Sequence, residues 1–160
     1  MEKPSDLARA QYRWVQESRQ VLFSYCGALS ADELLNENSS FGRGGSVRNL
    51  LVHIANTYEF WIGQQALRQP VAFTAYESQQ SMNDIGELFV AVDRLMDEFL
   101  GMVEQSGNQL LPYEIGGKAG EAEAFRLFTH VVTHEFHDKG QILSLTRHLG
   151  FVPVDTDVMR

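Results

Sequence analysis

Residues Thr129–Ile142 read THVVTHEFHDKGQI, and this stretch decides how the rest of the chain is read. It holds no proline and runs without a turn signal, so it predicts a helix. At ~100° per residue, His130 and Asp138 lie about 40° to either side of His134. His137 lies about 60° from His134 on the His130 side. Four potential metal donors therefore share one helix face, and one more donor from elsewhere closes a site.

Working outward, the helix is expected to run from about Glu121 to Leu149, where Gly150 and Pro153 end it. Its His134 stripe continues through Leu127, Val131, Gln141, Ile142 and Leu145, which points that face inward. Gly140 is costly inside a helix; close approach of another backbone or a ligand is the expected compensation, with tolerated weakness as the plainer reading. Upstream, Leu110–Glu121 carries Gly116-Gly117 between short arms and predicts a small β-hairpin, with a plain loop as the other reading.

Three further helices follow from the same periodicity. The first spans about Ser5 to Tyr25, and Ser30-Ala-Asp-Glu33 has the form of a capping box opening a short turn of helix. The glycine-rich Phe41–Gly45 is a loop, and Ser46 caps a second long helix, about Val47 to Arg68, stopped by Pro70. Ser81 caps the third, near Met82–Glu104. The expected architecture is a single all-α domain over 1–160, a four-helix bundle with or without a small hairpin before its last helix. Connector lengths allow either up-down order or a crossover.

The second long helix supplies the missing donor. His53 lies among Leu50, Thr57, Phe60, Gln64 and Leu67, within about 60° on the wheel, so it too faces inward. An unsatisfied buried polar group costs about 1–3 kcal/mol, and coordination satisfies an inward imidazole. Two imidazoles with a carboxylate suit Zn, Ni, Fe or Mn without choosing among them. Each histidine also has a plainer reading as a hydrogen-bonded core residue, or, for His137, as part of a solvated strip. His148, near a helix end, reads as such a hydrogen-bonded residue or as a favourable C-terminal cation.

Bulk properties remove other classes. The chain has 160 residues, 44% hydrophobic and 21% charged, with a formal net charge of −8 and no Lys/Arg run. That balance speaks against nucleic acid or an anionic membrane surface as partner. The single cysteine, Cys26, excludes an intrachain disulfide framework, and no stretch reaches membrane-spanning length. A reducing cytoplasm is the expected setting. Cys26 has no activating base nearby and reads as a core residue rather than a nucleophile.

The segments LLVHIANTYEFWIG (Leu50–Gly63) and THVVTHEFHDKGQIL (Thr129–Leu143) resemble the two signature helices of the DinB/YfiT-like family. The resemblance implies a four-helix bundle, often a homodimer, with a divalent metal held by three residues in a pocket. It implies chemistry with low-molecular-weight thiols in characterised relatives. The family's first two ligands fall on His53 and His134. Its third is usually a histidine four residues later, where this chain has Asp138. The metal set expected here is His53, His134 and Asp138, with His130 and His137 in reserve, and loss of the metal as the remaining alternative.

The leading functional expectation is a metal-dependent transferase acting on a small-molecule substrate with a thiol, with Gln141 supporting the site from behind. The alternatives are a metal-water hydrolase and a non-catalytic bundle that binds a partner or a small apolar ligand. Glu135, about 100° from His134, is poorly placed as a hydrolytic base. Two further apolar strips, Leu51/Ala55/Tyr58/Ile62 and Phe125/Val132/Phe136/Leu143, lie opposite the histidine faces and predict either a homodimer or internal cover. The segments 71–80 and 110–120 are expected, with Phe41–Gly45, to rim the pocket.

Overall fold

The computed structural model describes residues 4–37 and 45–160, so Phe41–Gly44 of the expected loop lie outside the described residues. Helix α1 spans Pro4–Cys26, the short α2 Ala31–Leu35, α3 Val47–Tyr58, α4 Met82–Ser106 and α5 Ala124–His148. Strands β1 (Leu110–Ile115) and β2 (Lys118–Glu123) precede α5. The caps are those the sequence points to. Ser30 and Ser81 each close a capping box with Glu33 and Asp84, and the Ser46 hydroxyl accepts from the Asn49 N–H at 3.0 Å.

Both α1 and α3 pack on α4 and α5, so α1 and α3 stand diagonally in the bundle. The chain therefore crosses it diagonally between α1 and α3, and again between α4 and α5. That settles the connectivity in favour of crossovers. The core is filled by Leu22 and Cys26 of α1, Leu51 and Ile54 of α3, Phe99 and Met96 of α4, and Val131 and Ile142 of α5. Each of these side chains other than Cys26 contributes about 1.5–3 kcal/mol of burial free energy. Burial pushes the Cys26 thiol up to about 12, which fits a core residue. Among the described residues no helix is long and apolar enough to cross a membrane.

The second crossover is the hairpin. Leu110 pairs with Glu123 and Ile115 with Lys118, and Gly116 and Gly117 both have positive φ (56° and 75°). That pair of left-handed residues is the geometry of a two-residue turn whose twist matches antiparallel strands. Glu121–Glu123 are consequently strand, not the start of α5, because their backbone groups are committed to the ladder. The α5 N-terminus is satisfied instead by Asn108, whose Oδ1 accepts from the Phe125 N–H at 2.8 Å.

Helix α3 departs from expectation at its C-terminal half. Past Tyr58 the chain continues as a π-helix, Glu59–Ala66, before Arg68 terminates it with φ 56°. The stop thus comes from a left-handed residue ahead of Pro70, and the Arg68 guanidinium donates to the Pro112 carbonyl. A π-helix bonds each N–H five residues back, so the 3.6-residue stripe drifts. Gln64, expected beside His53, is exposed, and Gln65 is the buried one.

Gly140 is also unlike its expectation. Among the described residues, a Cβ built there meets nothing within 4 Å outside its own turn of helix, so no neighbouring element packs on it. The helix simply carries a weak residue. Gly140→Ala is therefore expected to stabilise the chain by about 1 kcal/mol, read as a raised urea midpoint at unchanged slope; a lowered midpoint would mean a partner packs on that spot.

Candidate metal centre

Helix α5 is built around two different polar faces. Glu135 and Lys139, four residues apart, are 0% and 1% exposed, and they turn toward α1. Arg19 of α1 grips Glu135 with two hydrogen bonds, from Nε to Oε1 at 3.0 Å and from Nη2 to Oε2 at 2.8 Å. The Tyr58 hydroxyl of α3 donates to the same Oε2 at 2.7 Å. Asp93 of α4 accepts from Arg19 Nη1 and from the Tyr12 hydroxyl, both at 2.7 Å. Lys139 Nζ lies 2.9 Å from Glu135 Oε1 and donates to Ser18 Oγ, which in turn donates to the Thr156 carbonyl.

Every long helix thus contributes to one ion-pair network, and its two cations and two carboxylates balance. Burial alone would raise the Glu135 pKa, but the charges of Arg19 and Lys139, with hydrogen bonds from Arg19 and Tyr58, pull it down to about 2. Lys139 is held below its ordinary value by burial, against the pull of Glu135. Sequence reasoning missed this network. The signal was a Glu-to-Lys pair four residues apart inside an apolar helix, with Arg19 in an equally apolar stretch of α1.

The neighbouring face of α5 carries the donors. His134 and Asp138 meet His53 of α3 across the α3–α5 contact, and one donor atom from each lies within 4.8 Å of the others. Asp138 Oδ2 is 3.4 Å from His134 Nδ1 and 4.0 Å from His53 Nε2, and the two imidazole centroids are 5.1 Å apart. Donors about 2.1 Å from a shared ion stand about 3.4 Å apart at the tetrahedral angle. Two nitrogens and a carboxylate oxygen at this spacing could hold a metal ion.

Burial within the trio is graded. The Asp138 side chain is 3% exposed, whereas those of His53 and His134 are 20% and 25% exposed. The carboxylate therefore sits at the closed end and the two rings at the open end. Gln141 lies behind the carboxylate. Its Nε2 is 3.4 Å from Asp138 Oδ1 and donates to His137 Nε2 at 2.7 Å.

His130 and His137 are not drawn into the trio. Both are exposed, with ring centroids 6.1 and 6.4 Å from that of His134. His137 alone belongs to the solvated strip read for it, since Asp138 and Lys139 beside it are buried. His130 packs edge-on against Trp61 at 4.9 Å, and partial burial lowers its pKa. His148 Nδ1 bonds the Ser144 carbonyl at 2.8 Å in the last turn of α5, so it is hydrogen-bonded but exposed rather than part of the core.

Two of the expected rim segments are tied to α3 and its π-helical continuation. Asn56, one turn along α3 from His53, pairs with Thr74 through both its Oδ1 and Nδ2, at 2.9 and 3.0 Å. The hairpin is held by Gln65, whose Oε1 accepts from the Glu114 N–H at 2.8 Å, and by the contact of Trp61 with Tyr113.

The profile of the DinB family matches residues 1–160. A protein of Bacillus subtilis (strain 168) described as "Uncharacterized protein YizA" is 26% identical over 151 residues, covering 90% of this chain and 87% of its own length.

Proposed function

The chain belongs to the DinB family, and on that premise we propose that it is a metal-dependent enzyme that transfers a low-molecular-weight thiol to an electrophilic small molecule. The observation that carries this reading is the convergence of His53, His134 and Asp138 from two packed helices onto one spot, with the imidazoles at its open side. A divalent ion bound there would supply Lewis acidity, which keeps a coordinated thiol deprotonated near neutral pH. The net reaction is R–SH plus R′–X giving R–S–R′ and HX. The carbon–sulfur bond forms as the carbon–X bond breaks, and X leaves with the electron pair and the thiol proton.

The residues of this chain have separable tasks in that reading. Asp138 offsets part of the positive charge, and Gln141 orients its carboxylate through Oδ1. His53 and His134 leave the solvent side open for thiol and acceptor. Hydrolysis by metal-activated water needs a base, and Glu135 is committed to Arg19, Lys139 and Tyr58. That commitment favours thiol transfer over the hydrolase alternative.

Screening thiol acceptors against ester and amide substrates separates the two. We expect thiol-dependent product that disappears with chelation and in His53→Ala; ester or amide turnover without any thiol dependence would overturn the reading. Of the two extra apolar strips, Leu51, Ala55, Tyr58 and Ile62 are buried within the chain, whereas Phe125, Val132, Phe136 and Leu143 are only half-buried. We propose that the latter strip is covered in a homodimer. A single-chain mass by light scattering at micromolar protein contradicts this.

A further inference from the structure

We propose that the row of rings His130–Trp61–Tyr113, running away from the metal centre, is the binding platform for the acceptor substrate, and that this acceptor carries a flat, electron-poor conjugated group. The assignment deepens the thiol-transfer reading and depends on it only for the acceptor's role in the reaction. Binding of the flat group needs no metal.

The row begins at the centre itself. The His130 ring stands 6.1 Å from that of His134, and the Trp61 ring 4.9 Å from His130 at an interplanar angle of 74°. Tyr113 follows at 5.6 Å and 67°, and Phe60 flanks the indole at 5.0 Å and 83°. None of these pairs is parallel, so the rings brace one another edge to face, and what they leave to solvent is set by burial: His130 is exposed, and Trp61 and Tyr113 are half-buried. Ring surface next to the donor trio is therefore available to a guest.

Local structure aims these rings. Trp61 lies within the π-helical segment, where the wider winding displaces the helix stripe. Tyr113 is paired with Gly120 across the hairpin, and a Cβ at that glycine would fall 2.6 Å from the tyrosine ring. The missing side chain makes room for the ring to lie flat over β2. Anchoring the hairpin does not by itself require the rings, since Gln65 and Arg68 already bond the β1 backbone.

The chemistry of the guest follows from two requirements. Indole and phenol present electron-rich faces, which favour electron-poor rings, and the acceptor carries its leaving group X on such a ring. A thiolate attacks the same kind of carbon, so one guest property satisfies both the platform and the reaction.

The test uses a Trp14→Phe background, in which Trp61 is the one remaining indole of the chain's two. The probe is 1,3-dinitrobenzene, flat, electron-poor and without a leaving group. Quenching of Trp61 fluorescence is expected to saturate, and the apparent Kd to rise about fivefold or more in His130→Ala and in Tyr113→Leu. Saturation is expected to persist unchanged after chelation and in His53→Ala, so that loss of the metal reading and loss of this one are told apart. Quenching that stays linear with probe, or an unchanged Kd in both His130→Ala and Tyr113→Leu, overturns the proposal. His130 is exposed, so its truncation leaves the fold intact should Tyr113→Leu perturb the hairpin.

Discussion

Glu135→Leu is expected to destabilise the chain by about 3–5 kcal/mol, the cost typical of removing one partner from a buried ion pair. The reason is what remains behind. Arg19 and Lys139, 4% and 1% exposed, would keep their charges with only Asp93 to answer them. The Tyr58 hydroxyl, fully buried, would lose its acceptor as well. Replacing Arg19, Glu135 and Lys139 together by Met, Leu and Met should recover most of the loss, because an apolar core of similar volume often matches a buried ion network. Urea unfolding of the single and triple variants checks both statements. A Glu135→Leu cost below about 1 kcal/mol, the range of exposed pairs, would contradict them.

The same carboxylate gives the chain an acid limb. Its pKa is held at about 2 against an ordinary 4.5, so the folded form binds its proton less readily than the unfolded form. The stabilisation is present in full above pH 4.5 and is lost as pH falls through 2. In Glu135→Gln, stability should vary less with pH across that window than in the parent chain.

How much of this was legible in the sequence follows a physical division. Helices α1 and α4 and the serine caps could be read because periodicity and capping are local and repeat along the chain. The trio His53, His134 and Asp138 could be read for a related reason, since both histidine stripes point inward and meet once α3 and α5 are neighbours. What stayed hidden depends on tertiary partners. The π-helical winding after Tyr58 moved Gln64 out and Gln65 in, and no local propensity marks it. Gly140 suggested a close neighbour, and among the described residues none packs on it. The Arg19–Glu135–Lys139 network was invisible because a wheel places Glu135 away from His134 without saying that α1 delivers an arginine to it. Resemblance to relatives supplied the idea of a three-residue metal set, and the geometry brings the same residues together.

Metal binding should be visible as stability. A ligand that binds only the folded chain adds about 2.7 kcal/mol at a free concentration one hundred times its Kd. That increment is expected for the parent chain and for His130→Ala and His137→Ala, whose rings lie outside the trio. It is expected to vanish in His53→Ala and His134→Ala and to shrink in Asp138→Ala. Both trio imidazoles are partly exposed, 20% and 25%, so their truncation removes a donor without opening a cavity in the core. Thermal unfolding with and without added Zn, Ni, Fe or Mn measures the increment and ranks the metals.

The most direct measurement is element-resolved metal analysis of protein purified without an affinity tag, with stoichiometry per chain, repeated on the two histidine variants. The account predicts about one divalent ion per folded chain, as a single three-donor site requires, and less than a tenth of that in either His53→Ala or His134→Ala. A metal content unchanged by both substitutions, or no uptake by the parent chain after incubation with each of the four metals, would contradict it.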